Sequence, residues 1–284
     1  TLGIVFTALM ASGQGVTTSS INGKVTGQNG EALPSATVVA LHVPSGVQYG
    51  TTTRNDGAFN IPNIPVGGPY TLRVSFIGYS EFVQDNIFLR LGENIDFNIN
   101  LKEEATQLGE VVVVGVADNT FNSSRTGAKT NITNEQIQKL PSISRSFVDY
   151  ARLTPQATVT GSGISFTGTN NRYNSFQIDG TVNNDVFGLS SSGTNGGQAG
   201  TQPISLDAIQ EFQVVIAPYD VRQGGFTGGG INAVTKSGTN QFAGSAYMYT
   251  NNQNFVGKTP TDDPSVERKK LDDYTDRQIG FTFG

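Results

Sequence analysis

Apolar and polar residues alternate in short runs over roughly the first hundred positions of the chain. Two runs with an apolar residue at every second position show this most clearly: Tyr70, Leu72, Val74 and Phe76, and then Ile95, Phe97, Ile99 and Leu101. Turn-forming sequences such as Asn29-Gly30 and Asn55-Asp56-Gly57 separate the runs. A period of two indicates β-strands with one buried face. About seven short strands at this spacing predict a β-sandwich with its own core over residues 16–102.

A polar stretch ends this pattern, and a run without alternation follows it. The run consists of Glu110, Val111, Val112, Val113, Val114 and Gly115. Consecutive valines need cover on both faces of a strand, and a short strand outside a domain leaves an unpaired edge. We therefore predict a linker over residues 103–119 whose valine strand joins the sheet of a partner protein by β-augmentation. The alternative, in which the valines form one more strand of a neighbouring domain, stays open.

Helix signals and short strands are mixed over residues 120–240, which predicts a small α/β domain. Thr133 to Gln136 has the sequence of a capping box, and Pro141 ends the helix that follows it. Ser144 is the predicted cap of a second short helix, and Ser205 is the predicted cap of a third. Two strands are predicted between these helices: Ile164–Thr167 and Ser175–Ile178.

The most informative stretch of this domain lies between residues 209 and 240. The strand Phe212–Ala217 is predicted to be half-buried, because Val214 and Ile216 alternate with Gln213. A second strand is predicted at Ile231–Lys236, and glycines precede it at Gly224, Gly225, Gly228, Gly229 and Gly230. Glycine permits positive φ and close approach of the backbone, so we expect tight packing here. A phosphate-binding loop is excluded, because the Gly-Lys-Ser/Thr sequence and a following helix are both missing.

Two polar segments precede this stretch. Asp179 and Gly180 open a cluster of oxygen-bearing side chains. We interpret the pair as a tight turn and not as a calcium loop, because the EF-hand spacing and its terminal Glu are absent. Residues 188–200 form a low-complexity polar loop. That loop either points outward toward a ligand or is solvated without contacts.

Residues 241–284 again alternate with a period of two. Two predicted strands carry small or apolar residues at every second position: Phe242, Gly244, Ala246 and Met248, and then Ile279, Phe281 and Phe283. A charged loop, residues 262–276, lies between them. Alternation with aromatic residues on the apolar face is typical of transmembrane β-strands. Any amphipathic hairpin shows the same pattern, so the signal is weak by itself.

Composition narrows the possible functions. Charged residues make up 14% of the chain and the net charge is -5, so the basic surface that nucleic-acid binding needs is missing. The chain has no cysteine and one histidine, His42, which lies in a predicted strand. Thiol chemistry and sites built from several histidines are therefore excluded. We expect no metal ion, no cofactor and no enzymatic activity.

The apolar run at residues 2–11 is too short to cross a membrane and has the length of a signal-peptide core. Small residues follow it. We interpret residues 1–15 as the remnant of a secretory signal peptide that is cleaved near Gly15, and we expect the basic start of that peptide to be missing. A buried N-terminal strand is the alternative.

The α/β domain carries two characteristic sequences: GTNNRYNSFQIDG and APYDVRQGGFTGGGINAVTKSGTN. Both resemble the plug domain of TonB-dependent outer-membrane transporters of the SusC-like and Oar-like branch, and they look closer to the Oar-like members. The first domain carries three more: GKVTGQNGEALPSATV, TRNDGAFNI and PYTLRVSFIGY. These are similar to the carboxypeptidase regulatory-like domain, a transthyretin-like sandwich. The segment Glu110–Gly115 lies where this family has its TonB box.

The resemblance implies a multi-domain protein. Its expected parts are an all-β transthyretin-like sandwich, a linker with the TonB box, a small α/β plug domain and the first strands of a transmembrane β-barrel. The plug motif would comprise Asp179, Gly180 and the five glycines between Gly224 and Gly230. The plug would gate the barrel, and the TonB box would couple it to the energy of the inner membrane.

The resemblance also implies a place and partners. The chain would lie in the outer membrane of a Gram-negative bacterium, with the sandwich and the TonB box in the periplasm. Its partners would be TonB with ExbB and ExbD, membrane lipid, an unidentified substrate and a surface lipoprotein. A different class of function is a surface adhesin or glycan-binding β-protein. This alternative predicts that the sandwich binds ligand alone and that the valine run has no partner.

Overall fold

The computed structural model describes residues 16–103, 128–140, 142, 145–160, 163–190, 192–199, 201–216, 225–263 and 265–284. The chain divides into two compact units, with the boundary between Ser237 and Gly238. Among the described residues, the first unit contains two separate hydrophobic cores, and the second unit contains a hairpin. Within these ranges, no helix is both long enough and apolar enough to cross a membrane.

The strands predicted for the first part of the chain are present in the structure. They are β1 (Thr18–Thr26), β2 (Thr37–His42), β3 (Gln48–Thr52), β4 (Ala58–Pro65), β5 (Gly67–Ser75), β6 (Phe82–Leu89) and β7 (Asn94–Asn100). One sheet has the order β4-β1-β7, and the other has the order β3-β2-β5-β6. The two sheets form a sandwich, because side chains from both share what we call the first core, which includes Ile21, Phe59, Tyr70, Leu72 and Ile99.

His42 lies at the end of β2 and behaves as the ordinary strand residue that the sequence predicts. Its ring centroid lies 4.7 Å from that of Tyr70, and its Nδ1 atom lies 2.6 Å from Ser45 Oγ. Burial lowers the pKa of the imidazole.

The remaining elements of the first unit form an α/β part. They are β8 (Ala128–Thr133), α1 (Asn134–Lys139), α2 (Phe147–Ala151), β9 (Ala157–Thr160), β10 (Gly163–Phe166), β11 (Ser175–Ile178), β12 (Thr181–Val182), β13 (Ile209–Ile216) and β14 (Gly229–Thr235). The main sheet has the order β12-β11-β14-β13-β8, and β9 pairs with β10 separately. Short 3-10 helices lie at Asn171–Tyr173, Gly197–Ala199 and Leu206–Ala208.

One face of the main sheet packs on both helices and on β10. This second core includes Ile137, Phe147, Tyr150, Phe166, Phe176, Phe212 and Val214. Aromatic rings meet edge to face within it, with the Tyr150 and Phe212 centroids 5.8 Å apart. The Tyr150 hydroxyl donates to the Ile137 carbonyl at 2.8 Å, so the ring's polar end is satisfied although it is buried.

Two of the predicted helix caps are confirmed. The Thr133 amide donates to Gln136 Oε1 at 3.0 Å, which completes the capping box at the start of α1. Ser205 caps the 3-10 helix at Leu206–Ala208, where its Oγ accepts from the Asp207 amide at 3.4 Å.

The predicted cap of the second helix is wrong. Ser146 caps α2, and its Oγ accepts from the Val148 amide at 3.2 Å. A helix capped by Ser144 would have to start at Arg145, but Arg145 has a φ of 47°, which a helix does not allow. Ser144 itself lies outside the described residues.

β13 is buried on both faces, which corrects the expectation of a half-buried strand. Phe212 and Val214 face the second core. On the other face Glu211, Gln213 and Val215 are also at most 2% exposed. The turn between β6 and β7 of the sandwich covers Glu211 and Gln213 on this second face. The alternation within the strand could not predict this cover, because it comes from a distant part of the chain.

The second unit is a hairpin of β15 (Gly244–Asn252) and β16 (Thr275–Phe283). Ala246 lies opposite Phe281 and Met248 opposite Ile279, so the apolar residues of both strands share one face. That face is exposed in the chain as described, with the side chain of Phe281 84% accessible. On the other face the Tyr247 ring lies over Gly280. The alternation of small and apolar residues therefore predicted this hairpin correctly.

Candidate functional site

The glycine cluster and the Asp179-Gly180 turn, which were predicted to form one motif, lie at different ends of β14. The cluster leads into the first residue of β14, and the turn contacts its last residue. β14 pairs in parallel with β11 and antiparallel with β13, so it occupies the centre of the main sheet. The motif therefore fixes both ends of a central strand.

The glycines that precede and begin β14 act in two different ways. Gly225 has a φ of +81°, a conformation that L side chains rarely adopt. Gly228, Gly229 and Gly230 are needed for another reason: atoms of neighbouring residues lie close to where a Cβ atom would be. A Cβ atom at Gly228 would lie 2.2 Å from Asn174 Oδ1, and one at Gly229 would lie 2.3 Å from the Phe166 ring. Gly224 lies outside the described residues.

Asp179 connects the β11–β12 turn to the end of β14. Its backbone is left-handed, with a φ of 48°, and Gly180 follows with a φ of 78°. Its two carboxylate oxygens accept from the Thr235 amide and the Thr235 hydroxyl, each at 2.9 Å. Its own amide donates to the Ala233 carbonyl at 2.9 Å. The predicted turn is confirmed, and the carboxylate forms hydrogen bonds within the fold.

Replacing Asp179 with alanine is expected to lower the free energy of unfolding by about 1 kcal/mol, because two exposed hydrogen bonds are lost. Amide hydrogen exchange at Thr235 should accelerate in the same variant. Asp179→Asn is the matched control, because asparagine tolerates positive φ and keeps one acceptor. Equal losses in the two variants would contradict the role assigned to the side chain.

Two asparagines that the sequence analysis did not single out hold the strands near the glycine cluster. Asn174 Oδ1 accepts from the Gly229 amide at 3.1 Å, and its Nδ2 donates to the Ile164 carbonyl at 2.8 Å. Asn184 Oδ1 accepts from the Phe176 amide at 2.7 Å. Only their position in the Asn-rich segment around the FQIDG sequence hinted at such a role. Asparagine is common in loops, so this signal has little specificity.

The low-complexity loop is internally hydrogen-bonded, which excludes the prediction of a loop without contacts. The Asp185 carboxylate accepts from the amides of Ser190 and Phe187. The Ser190 bond contributes most to lowering the pKa of this carboxyl. Arg172 also donates to the Gly188 carbonyl at 2.9 Å.

Apolar side chains are exposed next to this loop. They are Tyr173, Val182, Val186, Phe187 and Leu189. Hydrogen bonds to the Asp185 carboxylate hold the backbone that carries Val186, Phe187 and Leu189. The sequence expectation that the loop points toward a ligand is not tested by these contacts.

The predicted partner strand, Glu110 to Gly115, lies outside the described residues, as do residues 1–15. Within the described ranges, no group of three or more His, Cys, Asp or Glu residues is placed so as to hold a metal ion. The candidate site consists of the closely packed glycines at the start of β14 and the hydrogen bonds that hold both ends of this strand.

Residues 20–102 match the carboxypeptidase regulatory-like domain. This match confirms the resemblance that the sequence analysis found for the first domain. The sandwich of β1 to β7 is therefore a domain of this class.

The similarity extends beyond that domain. Over 225 residues the chain is 32% identical to the TonB-dependent transporter Oar of Myxococcus xanthus, an alignment that covers 75% of this chain and 20% of that protein. The resemblance to TonB-dependent transporters is therefore confirmed. The chain spans about a fifth of the length of this curated relative.

Two solved structures align with parts of this chain at low similarity. The outer membrane transporter YddB from Escherichia coli is 20% identical, with a TM-score of 0.37, over 45% of this chain and 19% of that one. The 3-chlorocatechol 1,2-dioxygenase from Rhodococcus opacus 1CP is 9% identical, with a TM-score of 0.26, over 32% of this chain and 61% of that one. Neither score is high enough to carry a functional argument.

Proposed function

We propose that this chain is the N-terminal part of a TonB-dependent outer-membrane transporter. The observation that carries the proposal is the 32% identity to Oar over 225 residues. An alignment of this length cannot be confined to residues 20–102, so the similarity reaches into the α/β part or beyond it. That relative is a transporter, and we assign no enzymatic activity to this chain.

The proposed division of the chain follows the two cores and the hairpin. Residues 16–102 are the regulatory-like sandwich, residues 103–119 the linker, residues 120–240 the plug and residues 241–284 the start of a transmembrane barrel. Residues 1–15 are the signal-peptide remnant. In this assignment the plug blocks the lumen of the barrel. The central strand of the plug sheet is β14, whose two ends are held by hydrogen bonds. The apolar face of β15 and β16 would face lipid, and the face with Tyr247 would face the lumen.

The proposed energy coupling runs through the TonB box, Glu110 to Gly115. A strand of four valines can add to the sheet of TonB by main-chain hydrogen bonds. TonB, with ExbB and ExbD, would then pull on the linker that precedes β8. This arrangement places the sandwich and the box in the periplasm and the barrel in the outer membrane of a Gram-negative bacterium. An unidentified substrate and a surface lipoprotein are the remaining proposed partners.

A peptide of residues 107–118 is expected to bind the periplasmic domain of TonB from the same organism saturably. Val112→Pro should weaken binding at least tenfold, because proline removes one ladder hydrogen-bond donor. Val112→Thr is the matched control, since threonine keeps the amide and favours β-structure. Titration calorimetry measures all three affinities.

Two results would count against the proposed coupling. Equal binding by the proline and threonine peptides would show that no strand is added. Failure of the unmodified peptide to bind any TonB homologue of the organism would favour a structural role for the valines. In that case the adhesin function would become the better explanation of the sandwich.

A further inference from the structure

Several contacts join the sandwich to the α/β part: Asn232 Nδ2 donates to the Val16 carbonyl, and Gly67 lies beside the Gln210 side chain. The most extensive polar contact is made by the backbone of Leu91, in the turn between β6 and β7. The Leu91 amide donates to both carboxylate oxygens of Glu211, at 3.2 and 3.3 Å. Its carbonyl accepts from Gln213 Nε2 at 2.8 Å and from Asn131 Nδ2 at 3.4 Å. The Gln213 Nε2 atom also donates to Asn131 Oδ1 at 2.9 Å. We call these four residues the latch.

The latch is polar although it is buried. Glu211 is 2% exposed and Gln213 1% exposed. Leu91 belongs to neither hydrophobic core, and the two cores do not share any residue. Gln213 Oε1 lacks a hydrogen-bond partner, which lowers the net stability of the contact. Opening this contact exposes polar groups that can bind water and the Leu91 side chain, which is 1% exposed, whereas separating a core exposes many apolar side chains. This contact should therefore open before either core.

The charged groups near Glu211 compensate its charge only partly. Arg90 and Glu93 flank Leu91 in the same turn, and their effects on Glu211 oppose one another. From β8, Lys129 lies on the same strand face as Asn131 but pairs with Val215, further along β13. The residues of β14, Gly229–Thr235, include no titratable side chain.

Burial is the largest influence on this carboxyl and raises its pKa to about 7. The hydrogen bonds from Leu91 and Asn131 and the charge of Arg90 oppose the increase. A raised pKa means that the closed contact favours the protonated acid. The stabilisation is therefore complete below the ordinary pKa of about 4.5 and is lost as the pH rises through about 7.

We propose that the Leu91–Glu211 contact is a proton-dependent latch that docks the sandwich on the α/β part and loosens when Glu211 ionises. A neutral carboxyl still offers its carbonyl oxygen to the Leu91 amide, and it avoids the cost of a buried charge. This inference rests on the proposed function only where it assigns a use. In a transporter, opening the latch would loosen the docking of the sandwich on the plug sheet without unfolding the plug.

Residue-resolved amide hydrogen exchange on the whole chain in detergent tests the latch. After correction for intrinsic exchange, protection of the Leu91 amide should fall at least tenfold between pH 5 and pH 8. Amides of β5 and β14 should keep their protection over the same range, because they report on the two cores. Glu211→Gln should remove the pH dependence at Leu91. Glu93→Gln is the matched control, a carboxylate in the contacting turn, and should preserve the dependence.

Three outcomes would overturn the latch. Protection of Leu91 could be independent of pH, its exchange could follow that of β5, or the pH dependence could survive in Glu211→Gln. The wild-type pH series decides the first two even if a variant does not fold. No TonB is present in the experiment, so its failure is distinguishable from failure of TonB binding.

Discussion

Replacing Phe212 with alanine is expected to lower the free energy of unfolding of the second core by about 3–5 kcal/mol. The Phe212 side chain is 1% exposed and lies on β13 within the second core, where its ring meets that of Tyr150. Its removal leaves a cavity between β13 and α2, and it removes an aromatic contact as well as buried apolar area. The first core contains no residue of β13, so the loss should be confined to the α/β part.

Urea unfolding followed by residue-resolved hydrogen exchange measures the two cores separately. Amides of β14 should lose protection, while those of β5 should change little. Phe88→Ala is the matched control, because Phe88 is 61% exposed and the same change there should cost less than about 0.5 kcal/mol. Equal destabilisation of both cores by Phe212→Ala would contradict the arrangement of two independent cores.

Replacing Gly229 with alanine is expected to destabilise the chain by about 1–3 kcal/mol, although alanine is the smallest possible addition. The new methyl group would lie 2.3 Å from a ring carbon of Phe166, whose side chain is fully buried. The ring cannot move without disturbing the second core, so the start of β14 must shift instead. The Asn174 hydrogen bond to the Gly229 amide should weaken with it.

Denaturant unfolding compares this variant with Gly238→Ala, where a Cβ atom meets nothing within 4 Å and φ is not positive. The control should be neutral or slightly stabilising, because alanine reduces the entropy of the unfolded chain. Accelerated exchange of the Gly229 and Gly230 amides would locate the damage at the start of β14. A neutral Gly229→Ala would show that the close approach to Phe166 is not needed.

The sequence predicted tight packing at the glycine cluster but not which role each glycine has. Glycine has two uses, positive φ and close approach, and the sequence alone does not separate them. The structure assigns positive φ to Gly225 and close approach to Gly228 and Gly229, because the latter two meet Asn174 and Phe166. Both neighbours precede the cluster by at least fifty residues.

Local chemistry alone determined most elements of this protein. Alternation with a period of two predicted the sandwich strands, whose apolar residues line a shared core. It also predicted the hairpin of β15 and β16, whose apolar residues share one face that is exposed in the described chain. The capping box at Thr133 and the turn at Asp179-Gly180 were also predictable, since both act within a few residues of themselves. The Ser144 cap failed because the positive φ of Arg145 was not visible in the sequence.

Tertiary structure alone decided what covers the second face of β13. Gln213 is polar and suggested a solvated face, yet the turn at Leu91 buries both Gln213 and its neighbour on that face, Glu211. Leu91 and Glu211 are 120 positions apart, and no periodicity spans such a distance. The residue pattern of a strand or helix predicts which of its faces is buried in the core that the element itself helps to form. The polar contact between two separately formed cores depends on how those cores meet, and only the three-dimensional structure contains that information.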